Sequence, residues 1–123
     1  MGRNSGRFLR NGVVAVIPAA GAGRRMGQAQ PKQFLKLGDR PLLAVTLQPF
    51  QDCRAVDAIF LVVPSGDLDR CRLDVVERYG LTKVEKVLAG GSRRRDSVRS
   101  GLEAANGLYE WVLVHDGARP FVK

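Results

Sequence analysis

Cysteine and histidine are scarce in this chain of 123 residues, which contains two cysteines and one histidine. Cys53 and Cys71 form no CxxC pair, and His115 adds only one further potential ligand. A zinc site takes more ligands than that, so the sequence argues against one. We therefore predict that both cysteines are reduced structural thiols in a reducing compartment.

Long apolar runs are missing as well. No stretch approaches the roughly 18 consecutive apolar residues that mark a membrane-spanning helix, so we expect no contact with a membrane. Residues 1–12 are polar and basic and lack the apolar core of a secretory signal. We predict that they form a flexible basic tail of a cytoplasmic protein, with a fragment of a transit peptide as the alternative.

Aromatic residues make up only 7% of the chain and are scattered, so no platform for stacking nucleic-acid bases is visible. Positive charge is plentiful, with a net charge of +8. This charge suits either nucleic acid or a small, highly anionic substrate. Because the arginines form two short clusters rather than one helix face, a basic nucleic-acid-binding module is kept only as the non-enzyme alternative, and we expect no nucleic-acid partner.

Short apolar runs alternate with segments of helical spacing. The runs are rich in Val, Ile and Leu, as buried parallel strands are, and cover residues 13–20, 58–63, 84–88 and 111–114. The predicted helices cover residues 41–48, 67–79 and 92–105. This order predicts an α/β fold, a Rossmann-like, doubly wound, mostly parallel sheet with helices on both faces.

The chain ends soon after its fourth predicted strand. A sheet that stopped there would expose an edge that further strands normally cover. We therefore expect residues 13–123 to be the N-terminal part of a longer enzyme domain.

A glycine-rich loop follows the first predicted strand, at the end where open α/β sheets bind ligands. Gly21 and Gly23 lack a Cβ, so backbone N–H groups can approach an anion closely. Arg25 and Lys32 add positive charge, and no acid precedes Asp39. The spacing matches neither the dinucleotide fingerprint nor the Walker loop, and no acid ends the second strand, which disfavours a hydride-transfer enzyme. The loop is predicted to bind phosphates.

A second motif, GGSRRRDS, follows the third predicted strand. Its diglycine permits close backbone approach beside a helix N-terminus, while Arg94 and Ser97 offer a cation and a hydroxyl. Arg93 and Arg95 are interpreted as a solvated basic surface, the usual fate of a charge run.

The third motif, HDGARP, follows the fourth predicted strand. Asp116 is suited to holding Mg²⁺, directly or through water, or to accepting a hydrogen bond from a substrate hydroxyl. Arg119 is suited to pairing with Asp116 or to holding a phosphate. His115 is interpreted as a packing histidine.

Three segments, PAAGAGRRMG…PKQF, LAGGSRRRDSVRSGL and WVLVHDGARPF, resemble the 2-C-methyl-D-erythritol 4-phosphate cytidylyltransferases. The resemblance runs from residue 13 to residue 122. It implies a fold of the nucleotide-diphospho-sugar transferase type. The implied reaction joins CTP and 2-C-methyl-D-erythritol 4-phosphate into CDP-methylerythritol and pyrophosphate in non-mevalonate isoprenoid biosynthesis (the MEP pathway). It further implies Mg²⁺ or another divalent cation, and a homodimer. A ribitol-5-phosphate cytidylyltransferase and a bifunctional cytidylyltransferase/cyclase stay open as alternatives.

The same resemblance assigns residues. Arg25 and Lys32 correspond to the pair of cations that stabilises the transition state. The nucleotide-binding residues correspond to Pro18, Ala19, Ala20, Gly21, Gly23, Gly91, Ser97, Asp116, Gly117 and Arg119. Any metal falls on Asp116. Ser92 stands where close relatives often have Asp, and the family's later arm has no counterpart here, so we expect the chain alone to be inactive.

Overall fold

A computed structural model of the chain describes residues 10–19, 36–91 and 93–115. Its strands are β1 (Arg10–Pro18), β2 (Lys36–Leu37), β3 (Arg40–Pro41), β4 (Ala58–Val63), β5 (Val84–Ala89) and β6 (Tyr109–Val114). Its helices are α1 (Leu42–Asp52), α2 (Leu68–Cys71), which continues as a π-helical segment (Arg72–Glu77), and α3 (Arg94–Ala105). Within these ranges, no helix has the length and apolar character needed to cross a membrane.

The main sheet has four parallel strands in the order β5-β4-β1-β6. Val16 of β1 lies between Phe60 of β4 and Val114 of β6. Each step from one of these strands to the next along the chain therefore crosses over, as parallel pairing requires. The predicted doubly wound, parallel α/β architecture is confirmed.

The two faces of the sheet carry separate cores, because successive side chains of a strand point to opposite faces. Ala15 and Ile17 of β1 lie in the core that includes α1, whereas Val14 and Val16 lie in the core under α3. Both central strands are buried on both faces, which explains why they read as continuous apolar runs.

Helix α3 approaches the sheet closely through small residues. Helical spacing places Val98, Leu102 and Ala105 on one face of the helix, yet Ala105 is buried whereas Leu102 is 41% exposed. The buried residues of the helix are Ser97, Gly101 and Ala105. A Cβ added to Gly101 would overlap Cγ1 of Val16, so glycine is required for this close packing, and the helix is rotated accordingly.

A short hairpin, β2–β3, precedes α1 and was not predicted. Its turn contains Gly38, whose φ of 73° favours glycine. Pro41 lies at the N-cap of α1 rather than in the first helical turn, and α1 continues beyond Gln48 to Asp52. Pro49 lies inside the helix, where buried Phe50 holds the last turn against the core.

Strand β1 begins at Arg10, so it includes the last three residues of the predicted tail. Pairing with β6 accounts for the earlier start, while a second long-range contact holds Val13, which the predicted strand already included. Arg10 pairs with Tyr109 in β6, and the Asp57 carboxylate accepts a hydrogen bond of 2.8 Å from Val13 N. Residues 1–9, the rest of the predicted tail, lie outside the described residues.

Both cysteines are free thiols, as predicted, but they lie in different surroundings. Cys53 is exposed just after α1, whereas Cys71 is buried in the core on the α1 side. Burial, assisted by the negative charge of Asp67, raises the pKa of Cys71 to about 12, so this thiol stays protonated near neutral pH.

Candidate active site

All three sequence motifs leave the sheet at its carboxyl edge. Backbone hydrogen bonds continue the strand pairing one residue past the ends of β1, β5 and β6. The N–H groups of Ala19, Gly90 and His115 donate to the carbonyls of Val62, Val63 and Val16 at 2.7, 2.7 and 3.1 Å. Strands β1 and β6 are neighbours, and only β4 separates β5 from β1, so the motifs start along one edge of the sheet, where α/β sheets bind ligands.

Four of the predicted site residues lie in the described ranges, namely Pro18, Ala19, Gly91 and Ser97. The others lie outside the described residues, and their roles stay predictions. They are Ala20, Gly21, Gly23, Arg25, Lys32, Asp116, Gly117 and Arg119.

The end of β1 offers few hydrogen-bond donors. Ala19 N–H is engaged with Val62, and Pro18 has no N–H. Ala19 is only 1% exposed and packs into the core. Backbone donors for a phosphate must therefore come from residues beyond Ala19, which is where the glycines of the loop stand.

The diglycine loop is fixed against the first turn of α3 by Asp96. A Cβ added to Gly91 would overlap Cβ of Asp96, so no larger residue fits at this position. The Asp96 carboxylate accepts a hydrogen bond of 3.3 Å from Arg93 N and lies 3.5 Å from Arg93 Nε. This is one arm of a capping box, and it is the only arm, because an arginine side chain has no acceptor.

Sequence reasoning missed Asp96 because it stands inside a run of charges. The available signal was its position, because an acid at the third residue of a helix is well placed to accept a hydrogen bond from the N–H of the N-cap residue. Arg93, Arg94 and Arg95 are exposed, as predicted for Arg93 and Arg95, and Arg93 also pairs with Asp96.

Ser97 is completely buried, and its hydroxyl has no hydrogen-bond partner among the described residues. The same is true of the hydroxyl of Thr46 in α1. Ser97 lies one helical turn before Gly101, which packs on Val16 and Val62. The Ser97 hydroxyl therefore lies one helical turn closer to the carboxyl edge of the sheet than the contact of Gly101 with the strands. A buried hydroxyl without a partner costs about 1–3 kcal/mol, so a group of the glycine loop or a ligand would stabilise it.

His115 packs rather than points freely into solvent. It is half-buried, and its ring lies 5.2 Å from the ring of Phe50 in α1, tilted by 46°. This contact supports its interpretation as a packing histidine.

A metal site is not formed by the part of the chain that the structure describes. Over residues 10–19, 36–91 and 93–115, no three side chains of His, Cys, Asp or Glu come together. Asp116, to which the resemblance assigns any metal, follows His115 directly in the sequence and lies outside the described residues. A single carboxylate suits Mg²⁺, which keeps most of its ligands as water and phosphate oxygens.

Comparison with known proteins identifies the family. The model of the IspD family, described as 2-C-methyl-D-erythritol 4-phosphate cytidylyltransferase, matches residues 13–123. This chain belongs to the IspD family. The match includes all three motifs, so the resemblance seen in the sequence is confirmed.

Individual IspD relatives agree with the family match. The 2-C-methyl-D-erythritol 4-phosphate cytidylyltransferase of Geobacter metallireducens is 50% identical over 113 residues, which cover 89% of this chain and 49% of the relative. The bifunctional enzyme IspD/IspF of Desulforudis audaxviator is 49% identical over 109 residues, covering 89% of this chain and 27% of that protein. Among solved structures, the 4-diphosphocytidyl-2C-methyl-D-erythritolsynthase of Anaerococcus prevotii aligns with a TM-score of 0.73 at 32% identity, covering 92% of this chain and 46% of that one. The chain thus spans about half the length of the curated monofunctional relatives it matches.

Proposed function

We propose that this chain is the nucleotide-binding part of a cytidylyltransferase that joins CTP and 2-C-methyl-D-erythritol 4-phosphate into CDP-methylerythritol and pyrophosphate. Membership of the IspD family supports this reaction. The observation in the structure that carries it is the start of all three motifs at one edge of the sheet. The hydroxyl of Ser97, unpaired among the described residues, adds one feature that a bound nucleotide would use.

The proposed reaction is an in-line displacement. A phosphate oxygen of the polyol phosphate attacks the α-phosphorus of CTP, a P–O bond forms, and the bond from that phosphorus to the leaving pyrophosphate breaks. The attacking oxygen is already anionic near neutral pH, so no general base is needed. The packing of His115, the one histidine of the chain, against Phe50 is consistent with this.

Positioning and charge stabilisation therefore account for catalysis. Arg25 and Lys32 are proposed to offset the repulsion between the two polyanions and to stabilise the charge of the transition state. The loop at Gly21 and Gly23 is proposed to hold the phosphates. A divalent cation such as Mg²⁺, when bound, supplies neutralisation of the triphosphate charge, and Asp116 is the residue proposed to hold it.

Two related activities remain open. The match to a bifunctional relative supports a cytidylyltransferase domain that is fused to a cyclase. A ribitol-5-phosphate cytidylyltransferase differs only in its second substrate, for which the described residues offer no discriminating contact. A homodimer and a cytoplasmic location are proposed on family resemblance alone.

A nucleic-acid-binding module is disfavoured, because that function would not explain either glycine loop.

The test is pyrophosphate release from CTP. Two proteins would be assayed. One is the chain alone, and the other, the completed protein, is a fusion of the chain to the half of the Geobacter metallireducens relative that the chain does not match. We expect release by the completed protein with methylerythritol phosphate, little with ribitol 5-phosphate, and none by the chain alone. A folded fusion that neither binds CTP nor releases pyrophosphate, or retention of the chain on DNA at moderate salt, would contradict the proposal.

A further inference from the structure

Helix α3 carries its charges in an order that does not favour the helix. Its first turn contains Arg94, Arg95 and Asp96, and its last turn contains no basic residue. Because the N-terminus of a helix carries a partial positive charge, cations stabilise the last turn of a helix and destabilise the first. Asp96 follows this rule, whereas the arginines of the first turn contradict it.

Arg95 and Arg99 add a second unfavourable feature. They are four positions apart, so they lie on the same side of the helix, where like charges repel each other. Both side chains are exposed, and neither forms an ion pair with another described residue. We call Arg95 and Arg99 the outer arginines. The stability of α3 does not explain why they stand where they do.

The outer arginines lie beside the carboxyl edge of the sheet. The diglycine loop leaves β5 at that edge, and Gly91 lies against Asp96 in the first turn of α3. Arg95 directly precedes Asp96, and Arg99 lies about 6 Å further along the helix axis. At an ionic strength of about 0.1 M, the field of a surface charge extends about 10 Å. The field of these arginines therefore reaches the edge at which the proposed function places CTP.

The outer arginines also lie away from the side of α3 that faces the sheet, which is the side of buried Ser97 and Gly101. A charge at the rim of a site raises the local concentration of an oppositely charged ligand and speeds its association. Such a charge changes the association rate, whereas a charge that pairs with the bound ligand changes the dissociation rate.

Resting on the proposed function, we propose that the outer arginines capture the phosphate-bearing substrates. They attract CTP and the polyol phosphate to the carboxyl edge and do not contact either substrate once it is bound. Arg93 contributes less to this capture, because it pairs with Asp96. The unfavourable charge order of α3 is thus explained by the rate at which anions reach the site.

Stopped-flow mixing with a fluorescent CTP analogue tests the proposal in the chain and in the completed protein. The double variant Arg95→Gln/Arg99→Gln removes two charges and keeps residues of similar helix propensity. Arg54→Glu is the matched control, because it lowers the net charge equally but is exposed between α1 and β4, at the opposite edge. At low salt we expect the double variant to slow association about three- to tenfold and the control to slow it less than about twofold, with unchanged dissociation rates.

Thermal unfolding gives a second readout, and its expected sign is one that a structural role would not produce. The double variant should unfold at a temperature about 1–3 °C higher than the parent, because it removes both unfavourable features of α3. The difference in association rate should nearly vanish at about 0.5 M salt, where surface charges are screened.

Three results would overturn the proposal. They are an unchanged association rate in the double variant, equal slowing by Arg54→Glu, and a loss of affinity that arises from faster dissociation. A parent protein that binds no CTP analogue would contradict the proposed function itself and this proposal with it. Because only that last result concerns the parent, the two failures are distinguishable.

Discussion

On one side of β1, strand β4 is buried along its whole length, whereas on the other side only Tyr109 of β6 is buried. The β5-β4-β1 part of the sheet has a helix layer on each face and a charged outer edge. The β6 side has an apolar edge with neither layer over it. The glycine loop and the diglycine loop leave the first part, and HDGARP leaves the second. The segments that the proposed function assigns to the nucleotide site therefore start from two parts of the sheet that are packed differently.

The largest difference between the two sides is expected in stability. Phe60→Ala should lower the free energy of unfolding by about 3–5 kcal/mol, because it removes a fully buried ring that packs edge-on against Tyr109. Trp111→Ala should change it by only about 0.5 kcal/mol, since that ring is exposed. Urea denaturation followed by circular dichroism measures both. Equal losses would show that β6 is as well packed as β4.

Loss of one of the proposed catalytic cations should raise the activation barrier by nearly as much as Phe60→Ala lowers the free energy of unfolding. In the completed protein, Lys32→Ala should slow turnover about a hundredfold or more, equivalent to roughly 3 kcal/mol in the barrier, with the fold intact. Arg24→Ala is the control, because this neighbouring arginine has no assigned role in the site. Near-normal pyrophosphate release by the Lys32 variant would remove that residue from the site.

A methyl group at the diglycine should have an intermediate effect. Gly91→Ala forces a Cβ against Asp96 and should destabilise the chain by about 1–3 kcal/mol while weakening the binding of CTP. Gly66→Ala is the matched control, because nothing lies within 4 Å of a Cβ at that position. Thermal unfolding and calorimetric CTP titration measure the two effects. Identical behaviour of the two variants would show that Gly91 is not closely packed.

The smallest effect is expected from the cap of α3. Asp96→Ala removes the acceptor for Arg93 N and should cost about 1 kcal/mol of stability. Asp96→Asn keeps an acceptor and should recover most of that loss. If both substitutions were neutral in thermal unfolding, the hydrogen bond from Arg93 would not contribute to holding the loop.

The sequence was sufficient where local pattern and tertiary packing agree. Residues 58–63 were predicted with the bounds that β4 has, because a short apolar run rich in β-branched residues is typical of a strand that is buried on both faces. Gly91 was placed at the carboxyl edge because its motif follows a strand.

Other features depend on contacts that no local pattern contains. Leu102 shares a face of α3 with buried Ala105 by spacing and is nevertheless exposed, because the contact of Gly101 with Val16 in a distant strand sets the orientation of that helix. The early start of β1 depends on the pairing of Arg10 with Tyr109, which lies far away along the chain. Asp96 was overlooked because its role is to cap a helix, which the surrounding charges conceal.

Titration of CTP into the isotopically labelled chain, followed amide by amide in NMR spectra, tests the central claim most directly. The account predicts that CTP causes saturable chemical-shift changes in the amides of Ala19, Gly91 and Ser97 at the carboxyl edge. Pyrophosphate, added as a competitor, should reverse these changes. The account predicts no shifts at Gly80 and Gly107, which precede β5 and β6 at the opposite edge. Unchanged amides at the carboxyl edge, or equal shifts at both edges, would contradict the claim that this half of the sheet holds the nucleotide.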